Sequence, residues 1–234
     1  MVKDDVIRGH IELNSNRRVI YNFLSQVYAK EVDEKMIEEL RTPKSPISTL
    51  GSSEELKDTE MAEGFRLIKG YFEEVKDAEL AWVKERLAVD YASLFLGVGR
   101  HPAHPYESVY RSGEHLLMQE QRDQVLKIYR EHGVDKVKDF PEPEDHVAIE
   151  LQFMALLSGR TLEALEKKDV KEARKLMETQ ADFLDDHLMK WMPDFCEDIL
   201  KGAKYDFYRG IAKATRGYVS MESQNLRELA SELD

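Results

Sequence analysis

Apolar side chains return every three or four residues along almost the whole chain, and that spacing decides the fold class. Val19, Ile20, Phe23, Leu24 and Val27 fall on one helical face, and Tyr91, Leu94 and Phe95 share another. No stretch sustains the two-residue alternation of a half-buried strand, and no Asn-Gly or Asp-Gly pair marks a hairpin. The expected fold is all-α, with about ten helices in a globular helical packing and no significant sheet. Hydrophobic residues make up 42% of the 234 positions, enough for a substantial core. The helix spacing is too irregular for a solenoid, and no internal repeat is present.

Local signals place the boundaries. Asp33 can cap a short helix running through Leu40. The segment 41–53, with two prolines, one glycine and four serines, reads as a loop. Ser52 and Glu55 have capping-box spacing, which predicts a long helix from there toward Val75. Further helices are expected near 77–95, 113–131, 143–167, 169–190 and 194–217, followed by an amphipathic tail at 221–233. Gly133 is placed to stop the helix at 113–131. The chain then divides into an N-terminal helical portion, 1–132, a hinge at 133–146 and a C-terminal portion, 147–234, sharing one core. A hinge of this kind permits domain swapping, so monomer and dimer both stay open.

The net charge of −12 argues against binding a nucleic-acid backbone and favours a basic partner. A single cysteine, Cys196, allows no internal disulfide and no multi-cysteine metal site. The N-terminal residues lack the apolar core of a signal peptide, and no run of 18 apolar residues exists. These features suit a cytoplasmic protein without an integral membrane segment.

The stretch FPEPEDHVAIELQFMALL, 140–157, concentrates chemistry. Pro143 suits the first turn of a helix, and Glu144 and Asp145 would then lie where the helix dipole favours acids. Asp139 and Glu142 precede that turn and are left unexplained by it. From Val147 to Leu157 the only charge is Glu150, so this helix is expected to be central. His146 and Glu150 lie one turn apart, compatible either with a structural ion pair or with a binding role. His101 and His104 flank a proline turn that no helix can span, and no HExxH pattern exists, so they are expected to shape a loop rather than hold a metal. Phosphate-loop, dinucleotide and nucleophile-elbow patterns are absent. Cys196 lies among apolar and aromatic residues, as a buried thiol does. PYESVY, 105–110, sets two tyrosines around Glu107, either as a surface for arginine-bearing apolar peptide or as half-buried loop aromatics.

Taken in order, Y-A-S-L-F-L-G (91–97), H-P-Y-E-S-V-Y (104–110) and E-P-E-D-H-V-A-I-E-L-Q-F-M (142–154) resemble the cytoplasmic redox-enzyme maturation chaperones of the TorD/DmsD/NarJ type. R-V-I-Y-N-F-L (18–24), D-H-L-M-K-W-M-P-D-F (186–195) and A-K-Y-D-F-Y-R-G-I-A (203–212) extend the resemblance over about residues 15–220. It implies an all-helical, non-enzymatic protein, and no cofactor or metal is expected. Such a protein would bind the twin-arginine leader and the apo catalytic subunit of a molybdenum-cofactor oxidoreductase, assist cofactor insertion and delay export. Asp145 and His146 match the signature's Asp-His pair, with Glu142, Pro143 and Glu144 leading into it. Gly97, Pro105, Tyr106, Glu107 and Ser108 match the loop motif associated with leader binding, Tyr106 standing where some members have tryptophan. Tyr91 and Phe95 would add apolar wall to a groove bordered by loop 97–108 and the helix start at 139–150. Replacing Asp145 and His146 by alanine is then expected to weaken peptide binding without unfolding, whereas a structural role would show as a large drop in melting temperature. The rival readings are a general acidic helical adaptor and a metal-dependent helical enzyme using His101, His104, His146 and Glu150.

Overall fold

Several helix starts in this chain are fixed by the side chain of the residue just before the helix, which accepts a free backbone N–H group. Asp33 accepts from Met36 N at 3.0 Å, Thr59 from Ala62 N at 3.2 Å and Asp169 from Glu172 N at 3.1 Å. The computed structural model describes residues 3–42, 59–134 and 140–233. Within them run α1 (Asp4–Ala29), α2 (Glu34–Arg41), α3 (Glu60–Glu74), α4 (Leu80–Phe95), α5 (Glu107–Arg111), α6 (Glu120–Glu131), α7 (Val147–Glu166) and α8 (Val170–Phe183). A π-helical turn (Leu184–Leu188) leads into α9 (Met189–Gly202), and α10 (Asp206–Ser231) closes the series. The fold is all-α. Among the described residues the only β-type pairing is an isolated antiparallel bridge between Tyr106 and His146. No described helix is long and apolar enough to cross a membrane.

Several expected boundaries need correction. The central helix starts at Val147, not Pro143, so Glu144 and Asp145 precede it and are not held by its dipole. The span 113–131 is a loop followed by α6, and Glu107–Arg111 form a separate short helix. The expected helix 194–217 breaks at 203–205. There the buried Asp90 carboxylate accepts Lys204 N at 3.0 Å and Tyr205 N at 3.0 Å, ending α9 and starting α10. The tail at 221–233 is largely the continuation of α10. Ser52 and Glu55 lie outside the described residues.

The chain forms two compact units. The first comprises Met1–Ala29, Tyr106–Trp191 and Val219–Asp234; the second comprises Lys30–Pro105 and Met192–Tyr218. The chain therefore passes between units at four points, none of them within 133–146.

In the first unit α7 packs against both α1 and α8, which is why it is apolar on most sides. Leu24, Leu151, Met154, Leu157 and Leu184 are fully buried there, each contributing roughly 1.5–3 kcal/mol. Three buried polar side chains pair with one another: Ser158 Oγ bonds Gln180 Oε1 at 2.9 Å, and Gln180 Nε2 donates to Thr161 Oγ1 at 3.1 Å. Arg17 of α1 and Glu222 of α10 form a buried ion pair, Nε to Oε2 2.7 Å. In the second unit α3 and α10 approach backbone to backbone. A Cβ on Gly64 would lie 2.5 Å from Gly210 O, so this crossing requires glycine.

Candidate functional site

The site expected from sequence lies in the first unit, where the start of α5 meets the turn before α7. Tyr106 is the N-cap residue of α5, but its side chain makes no cap bond to the helix. Asp145 supplies the missing acceptors. Its carbonyl accepts Glu107 N at 3.0 Å and its Oδ2 accepts Ser108 N at 2.9 Å. One residue later, His146 caps α7 itself: its Nδ1 accepts Ala148 N at 3.1 Å. The Asp-His pair is thus one device that starts two helices.

That geometry fixes the ionisation of His146. The ring is 3% exposed, and burial lowers its pKa to about 3. The neutral ring keeps Nδ1 free of a proton, as an acceptor must be. Tyr106 and Phe140 pack edge-on against this ring, centroids 5.1 Å and 5.4 Å away. Tyr106 OH donates to Glu142 Oε2 at 2.5 Å, and Arg122 Nε donates to Glu144 Oε2 at 2.5 Å.

Behind the turn sits a buried carboxyl group of three. Glu107, Asp145 and Glu150 have no exposure. Burial first, then Glu107 and Asp145, pushes the Glu150 carboxyl well above its ordinary value. Asp145 is also raised by burial, against the lowering effect of its bonds from Ser108. Trp191 Nε1 donates to Glu150 Oε2 at 3.0 Å, His187 Nδ1 meets Glu107 at 3.0 Å, and Arg111 bonds both Glu107 and the carbonyl of Asp186. The bonds from Trp191 to Glu150 and from His187 and Arg111 to Glu107 keep this cluster from being a set of naked charges. The His146–Glu150 ion pair considered from spacing does not form, because His146 is neutral and Glu150 turns to Trp191.

Residues 54–197 match the nitrate reductase delta subunit family. The chaperone protein TorD of Photobacterium profundum is 31% identical over 200 residues, 85% of this chain and 88% of that protein. The TorD chaperone of Vibrio parahaemolyticus is 29% identical over 215 residues, 91% of this chain and 95% of that protein. The chain belongs to the TorD family of redox-enzyme maturation chaperones. It is accordingly a chaperone, not an enzyme.

The site residues expected from sequence divide by position. Asp145, His146, Glu107 and Ser108 are buried, and Glu144 is buried against Arg122. Glu142, Pro143 and Tyr106 are half-buried and retain exposed surface. Tyr91, Phe95, Gly97 and Pro105 belong to the second unit. There Tyr91 and Phe95 are core residues, ring centroids 5.0 Å apart and packed on Tyr208, while Gly97 is exposed with φ +73°. Asp139 lies outside the described residues. Sequence reasoning missed His187, Trp191 and Arg111 as members of the cluster. The signal was His187 and Trp191 four residues apart in the D-H-L-M-K-W motif, spacing that puts both on one helical face.

His101 and His104 are exposed in the second unit, whereas His146 and Glu150 are buried in the first. Among the described residues no three His, Cys, Asp or Glu side chains are grouped to hold a metal ion. Cys196 is buried, and its thiol is pushed well above the ordinary range by burial.

One pH effect follows. Unfolded histidine titrates near 6.5, whereas folded His146 titrates at about 3. Between those values the unfolded chain holds a proton that the fold excludes, so stability from this residue is present above pH 6.5 and is lost as pH falls. The loss amounts to at most about 1.4 kcal/mol per pH unit. His146→Asn keeps a cap acceptor and removes the proton. Urea midpoints measured from pH 6.5 to 4.5 are expected to fall less steeply in that variant; an unchanged slope would show that His146 is not neutral in the fold.

Proposed function

We propose that this chain acts in the cytoplasm, binding the twin-arginine leader and apo form of a molybdenum-cofactor oxidoreductase, assisting cofactor insertion and delaying export. The reading rests on similarity to chaperones named TorD over as much as 96% of the chain. The signature geometry supports it. The buried Asp145–His146 pair holds Tyr106 and Glu142 at the surface of the first unit, an aromatic ring beside a carboxylate. A leader with two arginines before an apolar run matches that chemistry, because guanidinium groups pair with carboxylates in a fork and stack on rings. The net charge of −12 draws such a cationic peptide in.

Titration of the purified chain with a synthetic leader peptide tests the reading. The two-arginine peptide is expected to bind, more weakly as salt is added. The same peptide with both arginines changed to lysine is expected to bind about tenfold less tightly despite its equal charge. Equal affinity for both peptides and for an unrelated basic peptide would point instead to a general acidic adaptor.

A further inference from the structure

We infer that the outer face of α4 is a self-association surface, on which a second copy of this chain packs its own α4 antiparallel about a two-fold axis at Val89. The inference is independent of the leader-binding reading, since α4 belongs to the second unit and Tyr106 and Glu142 to the first.

An apolar stripe that the chain leaves uncovered runs along this helix. Trp82, Val89 and Leu96 are 42%, 58% and 60% exposed, and Val98 just beyond them is 74% exposed. The first three are spaced by seven residues, and each such step turns only about 20° around a helix, so they form one seam. Seams of this spacing are the contact surface of paired helices. The opposite face of α4 is already used: Val83, Leu87 and Leu94 are fully buried in the second unit's own core.

Two gradients along the seam select the occupant and its direction. Bulk lies at the N-terminal end, in Trp82, in Arg86 stacked 4.0 Å over its ring, and in the exposed Glu85. Small residues lie at the other end: half-buried Ala92 and Ser93, then Gly97, where a Cβ would meet nothing within 4 Å. Charge changes sign in the same direction. Asp77 and Glu79 stand exposed before α4 and Arg100 stands exposed after it, and among the described residues these three side chains make no hydrogen bond or ion pair. An antiparallel pair centred on Val89 sets Trp82 against Leu96 and Gly97 of the second copy, Glu85 against Ser93, and Glu79 near Arg100, each twice by symmetry. A parallel pair would set bulk against bulk and acid against acid. The net charge of −12 opposes self-association at long range, so this local match is what holds the copies. The seam is about 21 Å long at 1.5 Å per residue, which places the contact at the low end of stable interfaces, roughly 1,200 Å² in total, with a dissociation constant on the order of 10 µM.

Sedimentation velocity of the full-length chain over a range of concentrations tests this, with monomer and dimer expected in reversible exchange. Val89→Glu sets a carboxylate against its own image, so it is expected to weaken the dimer by at least about tenfold. It is expected to melt close to the parent, because Val89 is exposed. Glu79→Arg and Arg100→Glu are each expected to weaken the dimer, and the double reversal to restore it, which only the antiparallel arrangement predicts. In parallel, Val89→Cys treated with a short bis-maleimide is expected to give covalent dimer. Lys171→Cys, exposed in the first unit, is expected to give little, and the fully buried Cys196 does not compete for the reagent. A chain that stays monomeric well above the expected constant would overturn the proposal. So would charge reversals that add instead of cancelling, or a dimer that Val89→Glu leaves unchanged, as one formed by exchange of helices at the hinge would be.

Discussion

Asp145→Ala is expected to lower the melting temperature by about 4–8 °C, corresponding to roughly 2 kcal/mol for a chain of this size. Asp145 is fully buried, and its Oδ2 is the acceptor for Ser108 N at the start of α5. Alanine leaves that N–H without a partner, a cost of about 1–3 kcal/mol. Relief of repulsion with the neighbouring Glu107 and Glu150 offsets part of it. Asp145→Asn keeps an acceptor oxygen and removes the charge, so it is expected to recover most of the loss. It is also expected to bind leader peptide within about twofold of the parent, because a residue without exposure acts by positioning Tyr106 and Glu142. Thermal melts paired with peptide titrations separate these effects. A stable Asp145→Asn variant that no longer binds would make the buried carboxylate a direct ligand.

Arg17→Met is expected to cost more, about 3–5 kcal/mol, because it strands Glu222 as a buried acid without its partner. Both side chains are nearly inaccessible, at 4% and 6% exposure, so solvent cannot take Arg17's place. Burial raises the Glu222 pKa even with Arg17 present. Without Arg17 the folded chain holds that proton to higher pH than the unfolded chain does. The variant's deficit should therefore be largest at neutral pH and shrink as pH falls toward the unfolded carboxyl value. The double variant Arg17→Met, Glu222→Leu should regain most of the stability. Urea denaturation at pH 7.5 and 5.5 reads both effects; a deficit independent of pH would mean that Glu222 carries no stranded charge.

The helical class and most helix positions were legible because they depend on spacing and on caps next to the helix. Asp33 illustrates this: donor and acceptor are three residues apart. What could not be read depends on partners far along the chain. The acceptor that starts α5 comes from 37 residues away, and the one that separates α9 from α10 from 114. The start of α7 was misplaced because Pro143 mimics a first-turn proline, while the actual cap is an imidazole, outside the usual Ser, Thr, Asp and Asn set. The same limit applies to the site. Motifs singled out Asp145, His146, Glu107 and Ser108, but their burial arises only when two distant segments meet at the Tyr106–His146 bridge. Sequence could name them as important; it could not tell a peptide contact from a helix cap.

The chaperone reading is tested most directly by affinity capture of the full-length chain from cells expressing an exported molybdenum-cofactor oxidoreductase, with the eluate read by mass spectrometry. The expected result is recovery of the catalytic subunit with its twin-arginine leader uncleaved, and a sharp loss of recovery when the leader is deleted or its arginines are changed to lysine. Absence of that subunit from the eluate despite its expression, or equal recovery with and without the leader, would contradict leader recognition.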